Sequence, residues 1–175
     1  FAIIIPTALA SVLTHKKNNY VDINIIKTYI IFVIIGVLAG TIFAALMQTK
    51  VLVLFFSLVV YFLGTYLLVS SNKIINAKKK FNLFSRVITG FGSGFVSASM
   101  GIGGAVMNVP VLRYFGYPIK KAIGSAAAIG LIIAIVGAIG FLISGFFLDA
   151  NLPLSIGFIN IPAFLIFIPI TTFMA

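Results

Sequence analysis

Residues 90–110 read GFGSGFVSASMGIGGAVMNVP and combine an apolar composition with six glycines in the first fifteen positions. Glycine lowers helix stability, because its backbone loses more conformational freedom on folding than that of any other residue. In a membrane helix, glycines either let two backbones pack closely or interrupt the helix, so that backbone N–H and C=O groups face a ligand. Their crowding here favours the second role. The glycines are Gly90, Gly92, Gly94, Gly101, Gly103 and Gly104.

The composition is that of a membrane protein. The 175 residues are 62% hydrophobic and 8% charged, with a mean hydropathy of +1.26. The core of a soluble domain of this size is too small to hide so much apolar surface. We therefore predict an all-α integral membrane protein, a polytopic helix bundle that crosses the lipid bilayer of the cell membrane several times.

The charge is strongly positive, with twelve Lys and Arg against two acidic residues and a net charge of +10. In a soluble protein this balance would indicate nucleic-acid binding. Here the cations cluster between apolar segments, which is typical of loops that face the cytoplasm. The charge is therefore interpreted as a topology signal, and no nucleic-acid partner is predicted.

Residue types that enzymes and metal sites require are scarce. The sequence has no Cys, a single His and two acidic residues, which are too few for a cluster of metal ligands. An intramembrane serine protease would need a His within a span to activate Ser93 or Ser97, but His15 lies in a polar segment. We predict no enzyme activity, no metal and no cofactor.

Uncharged runs divide the chain into membrane spans. The run Thr28–Met47 corresponds to about 30 Å of helix, which is long enough to cross a bilayer, and its Gly36 and Gly40 form a GxxxG pair that predicts close packing. Phe1–Leu13 is too short to cross and is interpreted as the end of a helix that begins in a longer protein. Further spans are predicted at Val51–Ser70, Ala122–Leu148 and Leu154–Met174.

The distribution of Lys and Arg predicts how the glycine-rich stretch lies in the membrane. If the stretch crosses once, eight of the twelve cations lie on one side and four on the other. If it enters and returns, eleven lie on one side and Lys50 stands alone on the other. The second arrangement fits the positive-inside rule far better. We therefore predict a glycine-rich re-entrant hairpin with its tip near Ser99–Gly104.

A weak internal similarity indicates an inverted repeat. Ala2–Leu13 (AIIIPTALASVL) resembles Ala134–Gly145 (AIVGAIGFLISG) in its pattern of small residues, and the charges place the two copies in opposite directions. Inverted repeats are common in secondary transporters. The predicted organisation is 1–70 as the remainder of a first transmembrane repeat, 71–85 as a basic cytoplasmic linker and 86–175 as an incomplete second repeat.

The run GFVSASMGIGGAVMNVPVLRYFGYPIKKAIGSAAA, which starts at Gly94, resembles the TauE/SafE family of sulfite exporters. That family shows GIGGG, a Pro-Leu-like pair, a basic turn and an Ala-x-Gly-Thr-Ser helix start. Ala105 replaces the third glycine of the first motif, and Ser125 with Ala126 replaces Thr-Ser. The resemblance implies a permease for sulfite, sulfonates or related small anions. The matching residues are Gly101–Gly104, Pro110 with Leu112, Lys120 with Lys121, and Ala122–Ser125.

Small polar residues near the glycines are the candidates for ligand contacts. The N-terminus of a half-helix suits an oxyanion, because it presents unpaired N–H groups and a partial positive charge. The alternative is that these small residues only pack helices. The predicted substrate-binding residues are Ser97, Ser99, Gly101, Gly103, Gly104, Asn108, Gly124 and Ser125.

Three cations follow the hairpin and would lie at its cytoplasmic mouth. Arg113, Lys120 and Lys121 could attract an anionic substrate by raising its local concentration, or could serve only as topology signals. The predicted function is that of a secondary transporter that exports small anions, sulfite or organosulfur anions, by alternating access. The alternatives are a non-transporting membrane scaffold or assembly protein, and a channel. The sequence leaves open the anion, the coupling ion and the oligomeric state.

Overall fold

The computed structural model describes residues 1–70, 82–148 and 154–173, and these residues form seven helices and one short hairpin. Three of the helices, Ile23–Leu46, Thr49–Ser70 and Ile119–Phe147, are long and apolar enough to cross a membrane. The prediction of an all-α membrane protein is therefore confirmed. The elements are α1 Ile4–Lys17, α2 Ile23–Leu46, α3 Thr49–Ser70, α4 Leu83–Met100, α5 Ala105–Tyr114, α6 Ile119–Phe147, β1 Ser155–Ile156, β2 Ile159–Asn160 and α7 Ile161–Phe173.

The helix predicted at Leu154–Met174 begins later than predicted, at Ile161. Its first part is the antiparallel hairpin β1–β2, which turns at Gly157 with φ +57°. The Asn160 side chain then accepts a hydrogen bond of 3.0 Å from the Ala163 N–H and so starts α7. Within the described residues, α7 then runs over the 13 residues Ile161–Phe173.

The connector between α1 and α2 is short, because α1 ends at Lys17 and α2 begins at Ile23. Asp22 caps α2, because its carboxylate accepts hydrogen bonds of 3.1 and 3.4 Å from the N–H groups of Asn24 and Ile25. Lys27 therefore lies inside the helix. The predicted linker 71–85 lies mostly outside the described residues, as do the four lysines of 73–80 and Asp149, and its last three residues belong to α4.

Helices α2 and α4 run parallel and pack along a glycine seam. A Cβ on Gly36 would overlap the Phe91 carbonyl, and a Cβ on Gly40 would lie 2.5 Å from the Phe95 carbonyl oxygen. The close packing predicted for Gly36 and Gly40 is therefore confirmed. It brings α4 directly against the backbone of α2.

The first glycines of the 90–110 stretch belong to the same seam. A Cβ on Gly90 would lie 2.9 Å from the Phe32 Cβ, and one on Gly94 would overlap the Val33 carbonyl. These two glycines pack inside α4 and do not interrupt it. Gly92 faces open space.

Helix α6 completes the core and runs parallel to α2. The Ser125 side chain contacts Asp22 at the start of both helices, and Gly140 contacts Thr41 toward their ends. Tyr29, Ile129 and Ile133 are fully buried between them. The outer faces carry exposed apolar side chains, as the lipid-facing surface of a membrane protein requires.

The glycine-rich stretch forms a helical hairpin. Helix α4 ends at Met100, and Gly101 follows in the left-handed conformation with φ +67°. Helix α5 then returns. Gly104 contacts Gly130 at the middle of α6, whereas Leu112 clusters with Ala122 near its start. The helix break thus lies at mid-depth in the bundle, within the segment where the sequence predicts the tip.

The described cations gather at the end of the bundle where α2, α4 and α6 start, which we call the basic end. Among the described cations, Lys50 alone lies at the opposite end, in the first turn of α3. Entry of the hairpin into a membrane and its return stay a prediction, as does the inverted repeat, although α1 and α6 do run in opposite directions. The cations of the basic end are Lys16, Lys17, Lys27, Arg86, Arg113, Lys120 and Lys121.

The glycine seam generates a stability prediction. Gly94→Ala should lower the thermal unfolding midpoint of the full-length protein in detergent, because the added methyl group meets the rigid Val33 backbone and overpacking costs about 1–3 kcal/mol. Gly92→Ala, two residues away in the same helix, should leave the midpoint unchanged or raise it. Equal unfolding midpoints for the two variants would contradict the close packing of α4 against α2 at Gly94.

Candidate functional site

The break between α4 and α5 presents backbone donors inside the bundle. The first turn of any helix leaves its N–H groups without intrahelical partners. Among the described residues, none accepts a hydrogen bond from the N–H of Gly104 or Ala105. Both nitrogens lie over Gly130 of α6, where an added Cβ would be 3.4 and 3.7 Å from them. The α5 N-terminus therefore offers a partial positive charge at mid-depth, which suits an anion.

Ser97 supplies a second polar group near the break. It is fully buried, and its Oγ has no hydrogen-bond partner within the described residues. It lies one helical turn before Gly101 and one turn after Ser93, on the buried face of α4. A buried hydroxyl without a partner costs about 1–3 kcal/mol. Ser97 is therefore a side chain whose hydrogen bond a ligand could complete.

Asn108 fixes the geometry of the break from within α5. Its Nδ2 donates a 2.7 Å hydrogen bond to the Gly104 carbonyl. Its Oδ1 accepts a 3.2 Å hydrogen bond from the Tyr29 hydroxyl, which lies 3.2 Å from the Ser93 Oγ. All three side chains are buried. Asn108 thus holds the first turn of α5 and links it to α2 and α4.

Tyr29 is a residue of this region that the sequence reasoning missed. It lies in α2, far from the glycine-rich stretch in sequence, and is fully buried. The available signal was a phenol hydroxyl inside an apolar span, because a buried hydroxyl needs a hydrogen-bond partner. The sequence could not show that the partners are Ser93 and Asn108.

The remaining predicted residues at the tip differ in their surroundings. Ser99 donates to the Phe95 carbonyl of its own helix. Gly103 has room for a side chain, since an added Cβ would meet only Ile4 at 3.9 Å. Gly104 is packed tightly, because an added Cβ would lie 2.9 Å from the Gly130 Cα.

Gly124 and Ser125 lie at the basic end and not at the tip. Ser125 Oγ accepts a 2.9 Å hydrogen bond from the Asp22 N–H. A Cβ on Gly124 would lie 2.5 Å from the Tyr20 carbonyl oxygen. Their distance from Gly130 along α6 is about 8 Å. The structure therefore places Ser97 one helical turn before the tip and joins Asn108 to Gly104 by a hydrogen bond, whereas this pair lies elsewhere.

The three predicted entrance cations also lie at the basic end. Lys120 is exposed and stands over the Tyr20 ring at 5.7 Å, within the range of a cation–π interaction. Lys121 is exposed beside it, and Arg113 is half-buried near the end of α5. Burial, and to a smaller extent the negative charge of Asp22, raises the pKa of Tyr117, which lies in the same region.

A cavity of about 550 Å³ lies at the opposite end of the bundle and reaches Gly101 at the tip. Its walls come from the ends of α2 and α6, the start of α3, the segment before α1 and the β1–β2 hairpin with α7. The hairpin tip is thus reached from the end opposite the cations.

Comparison with known proteins places these features in a family. The sequence profile described as sulfite exporter TauE/SafE matches residues 1–175. A probable membrane transporter protein of Haemophilus influenzae is 30% identical over 94% of this chain and 62% of its own length. One from Methanocaldococcus jannaschii is 36% identical over 54% of this chain and 34% of its own length. The chain thus spans less than two thirds of either relative, and no solved structure gives a significant match. The chain belongs to the TauE/SafE family of multi-pass membrane transporters.

Proposed function

We propose that the protein of which this chain is part is a secondary transporter that exports small anions, sulfite or organosulfur anions, by alternating access. The observation that carries the proposal is the helix break at mid-depth, with its unpaired N–H groups at Gly104 and Ala105. Discontinuous helices of this kind bind anionic substrate groups in other secondary transporters. The anion accepts hydrogen bonds from these two N–H groups and from the Ser97 hydroxyl.

The two ends of the bundle support the proposed alternation. At the basic end, the hydrogen bond between Asp22 and Ser125 and the contact of Gly124 with Tyr20 hold α6 against the α1–α2 connector. At the opposite end, the cavity reaches the tip. This arrangement fits an outward-open state. For transport to proceed, the contacts at the basic end would have to separate. Arg113, Lys120 and Lys121 would then attract anions to the cytoplasmic mouth.

Cysteine labelling tests the re-entrant path. The chain has no Cys, so single cysteines at Asn82 and Ile119, both exposed and placed at the two ends of the hairpin, can be introduced into an otherwise cysteine-free full-length protein. A membrane-impermeant maleimide should label both from the cytoplasmic side, and should label Lys50→Cys from the other side. Labelling of Asn82→Cys and Ile119→Cys from opposite sides would overturn the re-entrant hairpin.

Gly130→Ala tests the anion site. The added methyl group would make ordinary contacts of 3.4 and 3.7 Å with the nitrogens of Gly104 and Ala105, so it covers the donors without forcing the helices apart. Hydrogen bonds to charged groups contribute about 1.5–3 kcal/mol, so sulfite flux from proteoliposomes should fall about tenfold or more. Gly104→Ala is a poorer test, because its methyl group would meet the α6 backbone.

The matched control for this test is Gly92→Ala, which also adds a methyl group to a helix but in open space. Its flux should equal that of the unmodified protein, and both variants should insert and unfold alike. Full flux in Gly130→Ala would exclude the α5 N-terminus as the site. A properly inserted full-length protein that carries no anion would favour the scaffold alternative, in which the glycines only pack helices.

Tyr29→Phe tests the hydrogen bonds that hold α5. The change removes the donor to Asn108 Oδ1 and keeps the ring in the core. Since a buried polar group without a partner costs about 1–3 kcal/mol, the KM for the transported anion should rise about tenfold. Tyr61→Phe, on a side chain that is 67% exposed, should leave the KM unchanged. An unaltered KM in Tyr29→Phe would limit Tyr29 to core packing.

A further inference from the structure

A row of hydroxyl side chains winds along α4 from the basic end to the helix break. Ser85, Thr89, Ser93 and Ser97 follow each other at intervals of four residues, and residues four apart are neighbours on the surface of a helix. The row, which we call the hydroxyl stripe, extends over about 18 Å of helix. Its burial increases inward, since Ser85 and Thr89 are half-buried whereas Ser93 and Ser97 are buried. The stripe therefore connects the cation-rich end of the bundle to the proposed anion site.

The inner end of the stripe has a hydroxyl that the protein does not satisfy. Thr89 Oγ1 donates to the Ser85 carbonyl at 2.6 Å, and Ser93 Oγ donates to the Gly90 carbonyl at 3.2 Å. Such bonds to the same helix are ordinary for Ser and Thr. Ser97 differs, because it is fully buried and its Oγ has no partner within the described residues. A buried hydroxyl of this kind indicates that water or a ligand reaches it.

The stripe lies where two packed helix pairs meet. Helix α4 lies on the backbone of α2 through the glycine seam, and α5 lies on α6, where an added Cβ on Gly104 would be 2.9 Å from the Gly130 Cα. Asn108 links the α5–α6 pair to α2 by accepting the hydrogen bond from the Tyr29 hydroxyl. A hydrogen bond between side chains can break while the close backbone packing within each pair is kept.

Tyr29 covers the middle of the stripe. Its ring lies against Gly90, where an added Cβ would be 3.2 Å from the Tyr29 Cε2. Its hydroxyl lies near Thr89 and 3.2 Å from the Ser93 Oγ. Because Tyr29 is fully buried, it separates the half-buried part of the stripe from Ser97. An anion at Ser97 has no way along the stripe to the basic end while Tyr29 keeps this position.

On the basis of the proposed transport function, we infer that the hydroxyl stripe lines the path of the anion between the basic end and the α5 N-terminus, and that Tyr29 is the side chain that closes it. A hydroxyl can rotate to donate to an anion, so the stripe offers one partner per helical turn, in steps of about 6 Å. Opening of the path moves α5 and α6 away from α2 and α4 and breaks the hydrogen bond between Tyr29 and Asn108.

Alkylation of single cysteines tests the path. Ser93→Cys and Ser97→Cys would be introduced separately into an otherwise cysteine-free full-length protein in inside-out membrane vesicles. The probe is iodoacetate, a small anion whose methylene carbon the thiolate attacks while iodide leaves, and mass spectrometry measures the adduct. Both cysteines should be alkylated from the cytoplasmic side, because the open path admits water and anions to them.

Two neighbouring positions serve as controls for the alkylation. Ile88→Cys lies next to Thr89 on a side chain that is 55% exposed on the outer face, and Ala98→Cys lies next to Ser97 and is fully buried against α2. Both should stay unmodified, because only the thiolate reacts and a thiol in apolar surroundings stays protonated. Equal alkylation of Ala98→Cys and Ser97→Cys would contradict a path confined to the stripe.

Removal of the Tyr29 ring tests its closing role. Tyr29→Ala should accelerate the alkylation of Ser97→Cys from the cytoplasmic side about tenfold, because loss of the closing side chain shifts the population toward the open path. Alkylation of Ala98→Cys in the same background should stay absent. Equal acceleration at both positions would show a general loosening of the bundle and overturn the role of Tyr29.

Thr89→Val tests the stripe by kinetics, since it replaces one hydroxyl with a methyl group. A hydrogen bond to a charged group is among the stronger ones, so the maximal sulfite flux from proteoliposomes should fall about tenfold, while the KM should stay nearly unchanged because Thr89 lies two turns from Ser97. The matched control is Thr65→Val in α3, whose hydroxyl also donates to the carbonyl four residues earlier, at 2.9 Å. This variant should keep both values. An unchanged maximal flux in Thr89→Val would remove its hydroxyl from the path.

Failure of this inference and failure of the proposed function give different results. Sulfite flux without alkylation of Ser93→Cys and Ser97→Cys would overturn the path along α4 and leave anion transport standing. Absence of flux for every anion in the unmodified full-length protein would instead remove the transport proposal and the path together.

Discussion

The satisfaction of backbone hydrogen bonds at the helix break constrains the rest of the structure. Inside a bilayer, irregular backbone is tolerated only where protein or a water-filled cavity surrounds it. Here the N–H groups of Gly101 and Ile102 donate to carbonyls of the last turn of α4, at 3.4 and 3.1 Å, and Asn108 donates to the Gly104 carbonyl. The N–H groups of Gly104 and Ala105, at the start of α5, have no acceptor within the part of the chain that the structure describes. Binding chemistry can reside there because the neighbouring groups are already paired.

The glycines divide into two physical roles that composition alone cannot separate. Gly90 and Gly94 let α4 lie against α2, and this contact places Ser93 beside Tyr29. Gly101 takes a left-handed conformation that ends the helix. Gly104 combines both roles, since it packs on α6 and exposes an N–H. The seam therefore fixes the position of α4 before the helix break, and α5 can return between α4 and α6.

The sequence predicted the features that depend on local chemistry or on long apolar runs. These are the membrane helices, the GxxxG packing of Gly36 and Gly40, and the segment that contains the break. The sequence did not predict the features that depend on tertiary contacts. The β1–β2 hairpin was missed because its apolar residues read as a continuous span, while Gly145 of α6 packs against the Gly157 turn. The hydrogen bond of Ser125 to Asp22 joins residues 103 positions apart, and no local pattern could indicate it.

The two ends of the bundle differ in a way that fits the proposed direction of transport. In this proposal, an anion at the basic end would meet the cations Arg113, Lys120 and Lys121, which would raise its concentration at the mouth. At mid-depth, it would meet the weaker partial charge of the α5 N-terminus. Beyond Gly101, no positive side chain is among the described residues of the cavity wall, so electrostatic attraction would decrease along the outward path.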